Sequence, residues 1–200
     1  QGAAHNPDRK SKRKPKMAEI LESQATGEIA RIYDEIRTYC AVPYVSSLQR
    51  HVATKPNCLE YAWAACRPAF LDGTIPETAW QRAATVDVAP FPKLSRAALR
   101  LMGVDDAGLI SLRNICENFI RVSPINLLFA GIVEKLIQGA VPQGRRTDWP
   151  AWTAPPMLDP LPGLPNMGDL PKDQHDLLMQ LGTMLGGSPF VPGLYRLFTP

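Results

Sequence analysis

The sequence is poor in residues that bind metal ions or form redox centres, with 3 histidines and 4 cysteines among 200 residues. The cysteines stand singly among apolar positions of predicted helices, without the short paired spacing of a zinc site or a CxxC motif. They are Cys40, Cys58, Cys66 and Cys116. We therefore expect four buried thiols and no metal site.

The sequence also lacks long apolar runs. None approaches the roughly 20 residues that a membrane-spanning helix needs, and the N-terminus is charged where a secretory signal would be apolar. We therefore expect a cytoplasmic protein that does not bind membranes.

Positive charge is concentrated at the N-terminus. Residues 1–16 contain six lysines and arginines against one aspartate, so this segment carries +5 and the rest of the chain −2. Such a cluster could contact nucleic acid or an anionic membrane. Because it has no aromatic or periodic apolar residue, we interpret residues 1–22 as a basic disordered leader and lead-in, and expect no nucleic-acid partner.

Residues 23–140 have the pattern of a helical domain. Apolar residues recur at three- and four-residue spacing, most clearly from Ile29 to Cys40, after the potential cap Thr26. Ser123 and Pro124 predict a helix start, because a capping hydroxyl precedes a proline whose missing amide hydrogen would have no partner there. No segment alternates as a β-strand does, so the predicted fold class is all-α.

The following segment, residues 141–171, contains eight prolines and cannot form a long helix. Trp149, Trp152, Met157 and Leu158 indicate that it packs against the helical domain, because a freely flexible tether would be polar. We interpret it as a proline-rich linker.

Residues 172–200 resemble part of the first domain. Residues 43–50 are PYVSSLQR and residues 189–196 are PFVPGLYR, at a constant offset of 146, and each copy follows an amphipathic helix. A repeat of this length is typical of duplication into two similar domains that form a pseudo-dimer. We therefore expect the start of a second, incomplete helical repeat, so that the chain is a fragment or a partner supplies the remaining helices.

A series of short motifs runs through the first repeat. They are Gly27-Glu28-Ile29, Tyr33-Asp34-Glu35-Ile36-Arg37, Val42-Pro43-Tyr44-Val45, Ala62-Trp63, Lys93-Leu94, Gly103-Val104-Asp105-Asp106 and Ser123-Pro124. In this order and spacing the chain resembles the DehI-type (group I) 2-haloacid dehalogenases. The similarity spans about residues 26–139 and continues weakly into the second repeat.

This resemblance implies an all-α protein of two tandem repeats with the active site in a channel between them. It also implies hydrolysis of the carbon–halogen bond of short 2-haloacids by direct attack of water, without cofactor, metal or covalent intermediate. A carboxylate of the second repeat would act as general base, and a side-chain amide of the first repeat would hold the water.

The implied site residues match only in part. The family's aspartate falls at Pro192 or Gly193, neither of which can accept a proton, and its asparagine falls at Ser123, to which we assign the catalytic role of holding water. Where the family has an aromatic residue in the channel wall, this chain has Tyr44. Where the family has a bulky apolar residue three positions later, this chain has Ser47. The predicted substrate-binding residues are Tyr44, Ser47, Asn126, Phe190 and Gly193.

Simpler roles compete with these assignments. Tyr44 and Phe190 would also fit plain packing between repeats, and Ser123 would also fit a helix cap. Asp173 and Asp176 would replace the missing base only if the fold returned them to the channel. Arg50 and Arg196 would bind a substrate carboxylate or pair with acidic residues across the seam between the repeats.

Two functions therefore remain open: a 2-haloacid dehalogenase-like hydrolase, or an inactive or repurposed homologue that binds small carboxylates or serves as an oligomerisation module. A redox protein of the carboxymuconolactone-decarboxylase type is disfavoured, because Cys58 and Cys66 are eight residues apart and form no CxxC motif. The expected partners are a small 2-substituted carboxylic acid and either further copies in a homo-oligomer or the remaining part of the second repeat.

Overall fold

The computed structural model describes residues 17–90, 92–142, 152–186, 191 and 193–199. These residues form helices and connecting segments without a β-strand, which confirms the all-α prediction for them. The helices are α1 (Gly27–Cys40), α2 (Ser47–Val52), α3 (Cys58–Leu71), α4 (Thr74–Ala84), α5 (Arg96–Leu101), α6 (Asp106–Ile137), α7 (Lys172–Gly186) and α8 (Gly193–Leu197). The basic cluster of residues 1–16, Trp149, Phe190 and Pro192 lie outside the described residues.

The hydrophobic core is formed mainly by α1, α3, α4 and α6. The predicted stripe of α1 is confirmed, since Ile32, Tyr33, Ile36 and Cys40 are all buried. The largest core side chain is that of Trp63, whose ring centroid lies 4.8 Å from that of Phe70. Burial of such aromatic side chains supplies much of the stabilisation of a small helical domain.

Helix α6 is one continuous helix of 32 residues, with Pro124 inside it. The predicted helix start at Ser123 is therefore wrong. A proline inside a helix removes one backbone hydrogen bond and crowds the preceding turn. Here the helix continues past Pro124, and the Trp80 indole donates a hydrogen bond of 2.8 Å from Nε1 to the Arg121 carbonyl in the preceding turn.

The cysteine prediction is confirmed for two residues and wrong for two. Cys40 and Cys66 are buried, whereas Cys58 and Cys116 are exposed. Cys58 is the first residue of α3, and Cys116 follows the buried Ile115 on the solvent side of α6. A helix turns its side chains by about 100° per residue, so apolar neighbours in sequence do not ensure burial.

The lead-in to α1 is tied to the first two helices. The Glu19 carboxylate lies 2.8 Å from the Arg50 guanidinium, and Glu22 accepts a hydrogen bond of 2.9 Å from the Val45 amide while pairing with Arg37. Arg50 therefore pairs with its own repeat's lead-in, and the predicted pairing of Arg50 across the seam is not observed in the described residues.

The described part of the proline-rich segment lies against the domain. Leu158 packs on the core and donates a backbone hydrogen bond to the Ala41 carbonyl. Asn118, which is fully buried in α6, donates a hydrogen bond of 3.2 Å to the Asp159 carbonyl. Trp152 covers Gly73 and donates a hydrogen bond of 3.0 Å to Glu77.

Helices α7 and α8 follow the order of α1 and α2. α7 ends 146 residues after α1, at Gly186 and Cys40, and α8 begins 146 residues after α2, at Gly193 and Ser47. Arg196 donates a hydrogen bond to the Pro165 carbonyl, at the positions that correspond to Arg50 and Glu19. These correspondences support the tandem-repeat interpretation, which remains a prediction together with the domain boundaries.

Within the described part of the chain, no helix has the combination of length and apolar character that crossing a membrane requires.

Replacement of Gly73 by alanine tests the packing of the proline-rich segment. Gly73 has φ of +79°, and a Cβ there would overlap the Trp152 ring. We expect Gly73→Ala to lower the free energy of unfolding by about 2–5 kcal/mol, from backbone strain together with overpacking. Urea denaturation measures this loss.

Gly103 provides the matched control, because its φ is +84° but a Cβ there would meet nothing within 4 Å. Gly103→Ala should cost only the strain, about 1–2 kcal/mol. Equal losses for the two variants would show that Trp152 does not pack on Gly73 in solution.

A charged cluster joins α1 to α3. Glu35, whose side chain is 17% exposed, accepts hydrogen bonds from Trp63 Nε1 at 2.6 Å and from Arg67 Nη2 at 2.8 Å, and it pairs with Arg31. The hydrogen bonds from Arg67 and Trp63 hold the pKa of the Glu35 carboxyl below its usual 4.5.

A pH-dependent stability follows from this lowered pKa. The stabilisation is fully present above the unfolded-state pKa of about 4.3 and is lost as the pH falls through the lower folded-state pKa. We expect Glu35→Gln to cost about 1–3 kcal/mol at neutral pH, with the difference from wild type shrinking as the pH falls below 4.5. Urea denaturation across pH 3–7 tests this, with the exposed Glu28→Gln as the control of little expected effect. A constant difference across this range would contradict the assigned role of Glu35.

Candidate active site

A chain of three polar side chains lies where α2 meets α6. Gln49 Nε2 donates to Asn126 Oδ1 at 2.8 Å, and Asn126 Nδ2 donates to Ser46 Oγ at 2.7 Å. We call Ser46, Gln49 and Asn126 the amide cluster. It brings together residues 80 positions apart in sequence, so it exists only in the folded chain.

Local backbone geometry sets up this cluster. Ala41 adopts a left-handed conformation at the end of α1, and the chain then turns into α2. Ser46 precedes α2 but its hydroxyl makes no capping hydrogen bond to that helix. The Ser46 oxygen is therefore available to accept from Asn126, and its hydroxyl hydrogen remains free to donate elsewhere.

Gln49 is the most buried member of the cluster, at 3% exposure. Its Oε1 is buried and has no hydrogen-bond partner among the described residues. A buried carbonyl oxygen without a partner carries a desolvation cost of about 1–3 kcal/mol. Such a cost is characteristic of sites where a water molecule or a ligand supplies the missing hydrogen bond.

Tyr44 comes two residues before Ser46, and its hydroxyl is likewise buried without a partner. Its ring packs against the core. Burial, with a smaller contribution from the nearby Cys40, raises the pKa of Tyr44 above its ordinary value, so the hydroxyl is neutral and able to donate. Tyr44 thus packs against the first helical domain, and its roles in packing between the repeats or as a channel wall remain predictions.

The other predicted site residues are spread over several positions. Asn126 belongs to the amide cluster, whereas Ser47 and Ser123 are exposed and their hydroxyls make no hydrogen bond within the described structure. Gly193 begins α8, where a Cβ would lie 3.8 Å from a Leu164 methyl group. Phe190 is outside the described residues.

Asp173 and Asp176, the two candidates to replace the missing base, make no hydrogen bond to the amide cluster in the described structure. Asp173 and Asp176 are both exposed on α7, on the solvent side of the buried Leu178. The Asp176 carboxylate pairs with Lys172 and His175, and the Lys172 hydrogen bond lowers its pKa. Within the described chain, no carboxylate is hydrogen bonded to the amide cluster.

Two buried amides were missed by the sequence analysis. Gln49 was hidden because glutamine in a short helix usually faces solvent. Asn118 is fully buried, and its Oδ1 has no hydrogen-bond partner among the described residues. It was hidden among the apolar residues of α6. A weak signal existed for both, since some of the residues one turn away are apolar: Val45, Val52 and Ala53 for Gln49, and Ile115 and Val122 for Asn118.

Ser123 borders a separate feature, a groove of about 880 Å³ between α4 and α6. Its walls are mainly apolar and come from Trp80, Ala84, Phe119, Ile120, Pro124 and Pro155. Glu117 and Arg121 are its two charged lining residues. We refer to it as the α4–α6 groove.

The amide cluster is chemically suited to hold a small polar molecule. It offers one free acceptor, Gln49 Oε1, and one free hydroxyl donor, Ser46, with the Tyr44 hydroxyl also buried on the same connecting segment. Amides and neutral hydroxyls orient water well but cannot take a proton at neutral pH. The described residues contain no group of three or more potential metal ligands.

Comparison with solved structures identifies proteins of similar fold. The chain is similar to a structure described as a D-2-haloacid dehalogenase mutant, with a TM-score of 0.67 and 20% identity over 91% of this chain. It is also similar to a mutant complex with D-2-CPA (TM-score 0.65, 19% identity, 90% of this chain) and to a complex with L-LA (TM-score 0.67, 20% identity, 90% of this chain). No family model matches the sequence, and no curated protein does.

The chain spans 65%, 64% and 65% of the lengths of those three chains. It therefore has the helical fold of 2-haloacid dehalogenases over about two-thirds of their length. At this identity the likeness concerns the fold, so the chemistry has to be argued from this chain's own residues.

Replacement of Asn126 by leucine tests the amide cluster. The variant leaves Gln49 Nε2 buried without an acceptor, so we expect a loss of about 1–3 kcal/mol in the free energy of unfolding. Ser47→Ala, on the exposed side of α2, is the matched control and should change stability little. Urea denaturation measures both. A neutral Asn126→Leu variant would contradict the cluster as described.

Proposed function

We propose that this chain belongs to a hydrolase of the DehI-type 2-haloacid dehalogenase group that acts on short 2-substituted carboxylic acids. The observation that carries the proposal is the buried amide cluster with its unpartnered Gln49 Oε1, in a fold similar to dehalogenases whose structures hold D-2-CPA or L-LA. Tyr44, Ser47, Ser123, Phe190 and Gly193 remain proposed site residues. The proposal includes a cytoplasmic location and assembly as a homo-oligomer.

In the proposed reaction a water molecule is held at the amide cluster. Gln49 Oε1 accepts a hydrogen bond from this water, and the Ser46 hydroxyl donates one to it. The water oxygen forms a bond to C2 of the acid as the carbon–halogen bond breaks and the halide leaves with the bonding electrons. The water proton passes to solvent, because the amides cannot accept it.

The absence of a base at Pro192 and Gly193 predicts slow turnover. General-base catalysis contributes about 10²–10⁴-fold to such a step, and neither proline nor glycine provides a proton acceptor where the resemblance places the aspartate. Slow hydrolysis is thus compatible with the proposal. The same observation favours the second candidate, a homologue that binds small carboxylates without hydrolysing them.

A gain-of-function variant separates these two candidates. Gly193→Asp places a carboxylate at the start of α8, where a Cβ would make only ordinary contact with Leu164 at 3.8 Å. We expect halide release from both enantiomers of 2-chloropropionate to rise by about 10²–10⁴-fold relative to the wild type. Ion chromatography of released chloride measures the rate.

Gly193→Asn is the matched control, because it has the same shape without basicity and should leave the rate unchanged. Gln49→Leu in the Gly193→Asp background should remove the gain, since the water then loses its acceptor. Chloride release no faster than the uncatalysed rate from wild type and Gly193→Asp alike would contradict the hydrolase and favour the binder.

A further inference from the structure

The α4–α6 groove is too large for a short 2-haloacid. At about 880 Å³ it is within the range of about 300–1,000 Å³ that is typical of pockets for larger organic ligands. It also differs in position from the amide cluster. Ile120 in the groove and Asn126 in the cluster are six residues apart on α6, and so project about 120° apart around the helix.

Arg121 contributes a positive charge to the lining of the groove, where Glu117 contributes a negative one. Its Nη1 donates hydrogen bonds of 2.9 Å to the Ala41 carbonyl and 2.7 Å to the Pro156 carbonyl. Both acceptors are neutral, and within the described structure no carboxylate forms an ion pair with Arg121. Its Nε and Nη2 groups make no hydrogen bond to the described residues, so they remain able to donate to an anion.

Desolvation by burial lowers the pKa of Arg121 and outweighs the raising effect of the nearby Glu117 charge, although arginine stays protonated at neutral pH. A half-buried guanidinium beside apolar walls favours a carboxylate, because the planar fork of nitrogens matches two carboxylate oxygens. Glu117, one turn earlier on α6, opposes an anion by weak repulsion and thereby limits affinity.

We propose that the α4–α6 groove binds a medium-chain monocarboxylate, with the carboxylate on Arg121 and the apolar chain against Trp80, Phe119, Ile120 and Pro155. The hydrogen bonds to the Ala41 and Pro156 carbonyls orient the Arg121 guanidinium, and the apolar lining residues of the groove would contact the alkyl chain of the ligand. Ser123, one of the proposed site residues, also lines this groove, but the proposed carboxylate binding uses Arg121 and requires no turnover.

Isothermal titration of the full chain with octanoate and with 1-octanol tests the proposal at neutral pH. Wild type should bind octanoate more tightly than octanol. Arg121→Gln should weaken octanoate binding by about 10–100-fold, the usual range for loss of a charged hydrogen-bonding partner, and leave octanol binding unchanged. Glu117→Gln should tighten octanoate binding by about threefold.

Two further variants make the test decisive. Arg113→Gln removes an exposed charge two turns from Arg121 and should leave octanoate binding unchanged. Ala84→Trp fills the groove from an exposed position and should abolish binding of both ligands even if Arg121→Gln fails to fold. Equal affinity of wild type for the two ligands, no binding of octanoate, or undiminished binding by Ala84→Trp would each overturn the proposal.

Discussion

The passage of α6 through Pro124 is the constraint on which the rest of this structure depends. A proline at that position would ordinarily end or bend the helix. Here α6 runs without interruption from Asp106 to Ile137, and the Trp80 indole of α4 donates a hydrogen bond to the Arg121 carbonyl in the turn before the proline. This one helix contributes residues to the core, to the amide cluster and to the groove.

A single continuous helix also explains how a polar site and an apolar site coexist so closely. Residues near position 120 face the α4–α6 groove, whereas Asn126 turns toward α2 and joins Ser46 and Gln49. The backbone hydrogen bonds of α6 hold the angle between these faces. Arg121 adds a second link, because its guanidinium ties the end of α1 and the proline-rich segment to the same helix.

The amide cluster and the neighbouring Tyr44 lower the stability of the fold, because they bury polar atoms that have no partner among the described residues. Gln49 Oε1 and the Tyr44 hydroxyl are buried without partners, and apolar side chains in their places would avoid that desolvation cost. Retention of such groups is typical of sites that bind a polar molecule. The surrounding structure compensates elsewhere, through the Glu35 cluster between α1 and α3 and through the aromatic packing of Trp63 on Phe70.

The sequence by itself determined the helical class, the buried stripe of α1 and the helical character of α7, because helical periodicity and proline breaks act within a few residues. It did not determine whether α6 continues past Pro124, since this depends on packing with residues far away in sequence, such as Trp80, which bonds to the Arg121 carbonyl 41 positions later. It named Asn126 but missed Gln49, and it misjudged the exposed Cys58 and Cys116. Tertiary structure decided these features, because burial and polar pairing depend on which helices pack together.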